Sequence, residues 1–256
     1  MRDRPGPRPL ALQVKGLGFR VGGVDILSEI DLDIEEGSFL GIIGPNGAGK
    51  TTLLNLLSGL LKPTTGAVEL FGRDLAGVSS SGRARMGVGR TFQTSSLFNS
   101  LTVLENARLS AQGRLGGNMK FWRRPRAGDE ATTAAEEALK EVGLSGVARH
   151  VTGALSHGDK RKLELAILLA ARAKVLLLDE PMAGVNSEDV GLLMDLIARL
   201  HSEGRTVLMV EHHMAVVVGL AQKVSVLDYG RLLACGEPDE VMANETVQAA
   251  YLGEPL

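Results

Sequence analysis

SFLGIIGPNGAGKTT, Ser38 to Thr52, decides the fold. Ser38–Ile43 is apolar and reads as a buried strand, and Lys50–Leu61 reads as a helix. Between them GPNGAGKT, Gly44–Thr51, matches G-x-x-x-x-G-K-[ST], a loop whose backbone N–H groups converge on phosphate oxygens. Glycine is needed there because a Cβ would block that approach. Lys50 supplies a point charge for the β- and γ-phosphates, and the Thr51 hydroxyl is a ligand for Mg²⁺. The candidate phosphate cradle is therefore Gly44, Pro45, Asn46, Gly47, Ala48, Gly49, Lys50, Thr51 and the adjoining Thr52.

Outward from this stretch, strands and helices alternate. Ala11–Val21 and Ile26–Ile34 read as a hairpin turned at Gly22-Gly23, and Ala67–Phe71 as a further strand. Met86–Phe92 is strand-like, and helical patterns cover Thr102–Gln112 and Asp129–Val142. From Ser156 the order is helix, strand (Lys174–Leu178), helix (Ser187–Glu203), strand (Thr206–Val210), helix, strand (Lys223–Leu227). Such alternation implies a parallel sheet covered on both faces, and VLLLD, Val175–Asp179, has the unbroken apolar character of a strand buried on both sides. The composition of the 256 residues suits a soluble globular chain: 44% hydrophobic and 23% charged. The formal net charge of −2 gives no reason to expect a nucleic-acid partner. Cys235 is the only cysteine, which excludes a disulfide framework and a thiolate metal site. No signal peptide is visible and no segment offers the roughly 18 uncharged apolar residues of a membrane span, so a cytoplasmic chain is expected.

Open α/β sheets bind ligands beyond the carboxyl ends of their strands. Asp179 and Glu180 stand at such an end: Asp179 to hold a metal ion directly or through water, Glu180 to polarise an attacking water. Gln93, in RTFQ, could reach the metal or that water, and His212, after TVLMVE, could sense a γ-phosphate. LSHGDKRKLE, Leu155–Glu164, begins a helix. Ser156 is placed as N-cap, with Asp159 three residues on to close a capping box. Gly158 in the first turn costs about 1 kcal/mol against Ala, and Lys160, Arg161 and Lys162 crowd the end where the dipole disfavours cations. A helix start with Ser and a bare Gly backbone is a ready phosphate site.

Taken together and in this order, GPNGAGKT, Gln93, LSHGD, LLLDEP and His212 resemble the ATP-binding subunit of ABC transporters, across nearly the whole chain. The signature LSHGD, the AGVN of Ala183–Asn186 and the ending AAYLGE resemble, more narrowly, the subunit serving branched-chain amino acid importers. The resemblance implies an α/β P-loop NTPase core with a mostly parallel sheet, an N-terminal antiparallel β portion and a helical subdomain at about 95–160, all within a single domain, 1–256. It implies ATP and Mg²⁺ as ligands, with Thr51, Gln93 and Asp179 toward the metal and Glu180, Gln93 and His212 in catalysis. Ser156 and Gly158 would meet ATP held by a second ATPase subunit, either a second copy or a related chain. The other implied partners are two polytopic membrane subunits and, indirectly, a periplasmic or extracellular substrate-binding protein, with the chain peripheral on the cytoplasmic face of the membrane.

Several positions depart from the family pattern. His157 and Asp159 stand where LSGGQ is usual, Asn186 where the D-loop usually ends in Asp, and Val21 where an aromatic usually stacks on adenine. Phe19, placed by alternation on the same strand face, is the other candidate for that stacking. His213 beside His212 would point the opposite way on an extended stretch. The basic KFWRRPR, Lys120–Arg126, reads as a solvated loop or a contact for lipid headgroups. Two other functions fit the same motifs: a soluble ABC ATPase acting as an assembly scaffold, as in iron–sulfur cluster biogenesis, and an importer of urea or other amides.

Overall fold

The computed structural model describes residues 8–92, 96–115 and 129–252. In chain order the first elements are β1 (Leu10–Val21), β2 (Val24–Glu35), β3 (Phe39–Ile43), α1 (Lys50–Leu57), β4 (Thr65–Leu70), β5 (Arg73–Asp74), α2 (Ser80–Arg85) and β6 (Val88–Arg90). The helices α3 (Val103–Arg114), α4 (Glu130–Glu141) and α5 (His157–Ala170) follow, then β7 (Val175–Asp179), α6 (Ser187–Ser202), β8 (Thr206–Val210) and α7 (Met214–Leu220). The chain ends in β9 (Lys223–Asp228), β10 (Arg231–Gly236), α8 (Pro238–Met242) and α9 (Glu245–Leu252). Two compact units result, one made of residues 1–80 and 200–256, the other of 81–199.

The first unit carries an antiparallel sheet in the order β2-β1-β4-β5, and beside one another the strands β10-β9-β3-β8. Here β3 is parallel to both β8 and β9, while β10 returns antiparallel. Every residue of β3 and of β8 is buried, as their unbroken apolar sequences require. α1 buries Leu53, Leu54, Leu56 and Leu57 completely, each contributing about 1.5–3 kcal/mol. That helix stops at Leu57 rather than Leu61. Gly59 enters the left-handed region at φ 76, and the Leu60 and Leu61 N–H groups turn back to the Asn55 carbonyl at 2.9 and 3.1 Å.

In the second unit β6 and β7 are parallel, with Arg90 opposite Leu177, and α3, α4 and α5 pack on one another. The two expected middle helices are present with their caps. Thr102 and Glu105 close a full capping box on α3, and Asp129 caps α4 through the Thr132 N–H. The expected strand Met86–Phe92 shrinks to Val88–Arg90 because α2, unforeseen in the sequence, runs into the turn at Gly87. Also unforeseen are β5, β10, α8 and α9, all short, and β10 alternates half-buried with exposed residues.

Candidate functional site

Each unit presents motif residues at the carboxyl end of its own parallel strands. In the first unit β3 and β8 are paired with Ile42 opposite Val210. The loop from Gly44 and the segment Glu211-His212 therefore leave the sheet side by side. Gly44 has φ 151, and a Cβ there would lie 2.0 Å from the Leu227 carbonyl oxygen, so no other residue fits this turn. Gly49 is the N-cap of α1, at φ 102, and brings no side chain to cap the helix, which leaves room for an anion to approach the backbone there. Lys50 is buried, and its ammonium donates to the carbonyls of Gly44 and Pro45 at 2.7 and 2.8 Å, arching the loop over the side chain. The β9–β10 turn braces the apex: the Gly230 N–H reaches the Ala48 carbonyl at 3.1 Å.

Glu211 is 1% exposed, and its Oε2 accepts from the His212 N–H at 3.0 Å and the His213 N–H at 3.4 Å. The same oxygen lies 3.2 Å from His213 Nδ1. The buried carboxylate thus engages the His213 ring. It holds His212, an exposed residue, by the backbone. At the hairpin tip Val21 is exposed, while Phe19 is half-buried in a cleft of about 340 Å³ with Arg20, Asp25, Thr64 and Thr65. Register shifts on both sides of Phe19 break the alternation on which the same-face expectation for Phe19 and Val21 rested. Arg20 grips Asp25 with two bonds of 2.6 and 2.7 Å, which hold the Asp25 carboxyl below the usual range.

In the second unit Asp179 closes β7 at 1% exposure. Its Oδ2 accepts from Arg90 at 3.0 Å, a pair whose side chains are 5% and 1% exposed. The Thr91 hydroxyl accepts from the Asp179 N–H at 3.0 Å. Burial pushes the Arg90 guanidinium below its ordinary value and Asp179 acts against that shift; the group stays charged and also lies 5.3 Å over the Phe92 ring. Glu180 is held at φ 48, a region that L-residues avoid. Such strain in a carboxylate beside Asp179 is the kind that persists at working sites. Gln93 lies outside the described residues, as does the stretch Lys120–Arg126.

The helix start at Ser156 departs from expectation in one half. Ser156 Oγ accepts from the Asp159 N–H at 3.1 Å, but the Asp159 carboxylate pairs with Lys162 at 3.1 Å instead of closing the box. The cations at this end are matched locally: Lys160 to the Gly153 carbonyl at 3.4 Å, Arg161 to Glu164 at 2.8 Å. Gly158 is buried, and a Cβ on it would come within 2.9 Å of Asp189 Oδ2. Its bareness therefore serves local packing whatever else it serves. Sequence reasoning missed Arg90, Thr91 and Arg161. The signals were an arginine directly before Thr91-Phe92-Gln93 and a Lys/Arg run whose Arg161 stands three residues before Glu164 on a helix.

A family model for the ABC transporter matches residues 27–183. A second, for the branched-chain amino acid ATP-binding cassette transporter, matches residues 231–255. The chain is 41% identical to the high-affinity branched-chain amino acid transport ATP-binding protein BraF of Pseudomonas aeruginosa, over 96% of this chain and 99% of that one. Among solved structures it is similar to a nucleotide-free ATP-binding cassette from an ABC transporter, with a TM-score of 0.85 and 27% identity over 96% of this chain and all of that one. It is also similar to a dimeric ATP-binding cassette in a post-hydrolysis state bound to ADP and Pi, at TM-score 0.76 and 27% identity over 89% and 98% of the two chains. Among the described residues no helix is long and apolar enough to cross a membrane.

Proposed function

The chain belongs to the ABC transporter family of ATP-binding proteins, and from that premise we propose that it hydrolyses ATP to drive an importer of branched-chain amino acids. The observation that carries the ATPase reading is the loop Gly44–Thr51, with glycine as the N-cap of α1 and the Lys50 ammonium arched beneath Gly44 and Pro45. The match over residues 231–255 supports the cargo and favours transport over an assembly scaffold or a urea importer.

In this reading the backbone from Gly44 to Thr52 cradles the α- to γ-phosphates and Lys50 offsets their charge. The Thr51 hydroxyl, the Asp179 carboxylate and the Gln93 amide oxygen are the hard oxygen donors that suit Mg²⁺. Asp179, dry and acidic, is a group that a divalent cation offsets. Bound there, Mg²⁺ would supply neutralisation of charge on the β- and γ-oxygens. Glu180 orients and deprotonates the attacking water, and His212 hydrogen-bonds the γ-phosphate. Ser156 and the backbone at Gly158 receive the γ-phosphate of ATP held by a second ATPase subunit, so hydrolysis follows dimerisation. Tight closure with ATP and release with ADP is the differential binding that can move two membrane subunits, fed from outside by a binding protein. The whole chain, 1–256, acts as one ATPase domain on the cytoplasmic face of the membrane, and its helical part, about 95–160, docks on the membrane subunits.

Glu180→Gln tests the assignment. ATP binding should persist while hydrolysis falls by roughly 10²–10⁴-fold, and size-exclusion chromatography with ATP should show a dimer. Turnover within about twofold of the parent, or a chain that stays monomeric at saturating ATP, overturns it.

A further inference from the structure

The first turns of α5 touch the segment after β7 at three places. The His157 imidazole lies beside Gly184, whose built Cβ would stand 3.9 Å from Nδ1. Gly158 faces the Asp189 carboxylate. Arg161, with a side chain only 12% exposed, then reaches three acceptors among the described residues. One nitrogen donates to Glu164 Oε2 at 2.8 Å and, at a long 3.5 Å, to the Phe92 carbonyl; the other donates to the Ala183 carbonyl at 3.1 Å. Phe92 is the residue directly before Gln93, and Ala183 opens the segment Ala183–Asn186 just past Glu180. A single planar cation thus joins the helix that starts at Ser156 to the chain entering Gln93 and to the turn leaving Glu180.

We propose that Arg161 is a positioning residue that makes these three segments respond as one body to ATP engaged at Ser156 and Gly158. The inference rests on the reading of that helix start as the receptor for a partner-held γ-phosphate. The guanidinium suits the task because its donors are fixed in a fork, so a shift of α5 displaces both carbonyls together. Buried Glu164 takes the shorter of the two bonds from the nitrogen that also reaches Phe92, which keeps the fork from rotating away. A lysine could pair with Glu164 but, as a point charge, lacks the fixed fork that reaches the Phe92 and Ala183 carbonyls from two nitrogens. The Ala183 carbonyl lies within the turn closed by the Ala183 N–H to Glu180 O bond of 3.0 Å, so the backbone of the water-activating residue is set through this contact.

The test compares the full-length chain carrying Arg161→Met, Arg161→Lys or Glu164→Gln. Arg161→Met should bind ATP and, in the Glu180→Gln background, dimerise within about threefold of its parent. Its kcat should fall by about tenfold or more with KM for ATP changed less than about twofold, the signature of a loss felt after binding. Backbone amides between residues 183 and 189 should exchange about tenfold faster in the monomer. Arg161→Lys should recover little of the kcat, and Glu164→Gln should lose less than Arg161→Met. A kcat within about twofold of the parent in Arg161→Met, or full recovery in Arg161→Lys, overturns the proposal. If Arg161→Met fails to fold, Arg161→Lys decides alone: parent-like turnover and exchange refute it. If the Glu180→Gln chain with Arg161 intact does not dimerise with ATP, the reading of Ser156 and Gly158 fails first and takes this proposal with it.

Discussion

The two units build their motif ends by different means. At Gly44–Thr51 the geometry is written in backbone: positive φ at Gly44, Gly47 and Gly49, and a lysine clasped by main-chain carbonyls within six residues of itself. At Asp179 and Glu180 the geometry is written in side chains that come from far along the chain, with Arg90 and Thr91 arriving from 89 and 88 residues away. The first arrangement is contiguous, and at Gly44 and Gly49 it leaves no room for a side chain. The second is dispersed, and its parts hold each other by charge and hydrogen bonds in a dry setting.

The contrast fails if the dispersed end proves indifferent to its tethers. Arg90→Met should be the costlier change: removing one partner of this buried pair takes a cation away from the Asp179 carboxylate, worth about 3–5 kcal/mol. Urea denaturation should show this, and Arg90→Met combined with Asp179→Asn should recover much of the loss. Gly44→Ala sharpens the other side. Its Cβ has no room beside Leu227, so about 2–3 kcal/mol of stability should go, together with ATP binding measured by fluorescent-nucleotide titration. An unchanged affinity would mean that the loop is not held by backbone geometry.

The smallest expected effect concerns the capping box of α3, which is local and half-buried. Bonds from the Thr102 backbone N–H and hydroxyl hold the Glu105 carboxyl below its ordinary value of 4.5. A carboxyl depressed in the folded state stabilises it above the unfolded value, and that contribution disappears as pH falls through the folded one. Glu105→Gln should therefore cost about 0.5 kcal/mol near neutrality and nothing once the pH has fallen below the folded-state value. Thermal denaturation at the two pH values separates this from a general loss of helix stability.

Legibility in the sequence follows the same division. Lys50, Thr51 and the glycines were readable because a backbone-made site must be contiguous and carries its residue types on its face. β3, β7 and β8 were readable because strands buried on both sides keep an unbroken apolar run, with Asp179 and Thr206 only at strand ends. Arg90 escaped notice because nothing local distinguishes an arginine facing solvent from one facing a carboxylate 89 residues later. β10 was missed because a half-exposed return strand of mixed small and apolar residues resembles a loop until β9 pairs with it. The box expected at Ser156 closed only by half, since Lys162, also three residues from Asp159, competed for its carboxylate.

The left-handed backbone at Glu180 has a consequence for how this turn can vary. For an L-residue with a Cβ that conformation costs on the order of 1 kcal/mol, and glycine would adopt it freely. Pressure for sturdiness alone would therefore strip the carboxylate from this position. Its presence marks a place where the molecule stays slightly weaker than it could be in order to keep an acid at the mouth of β7.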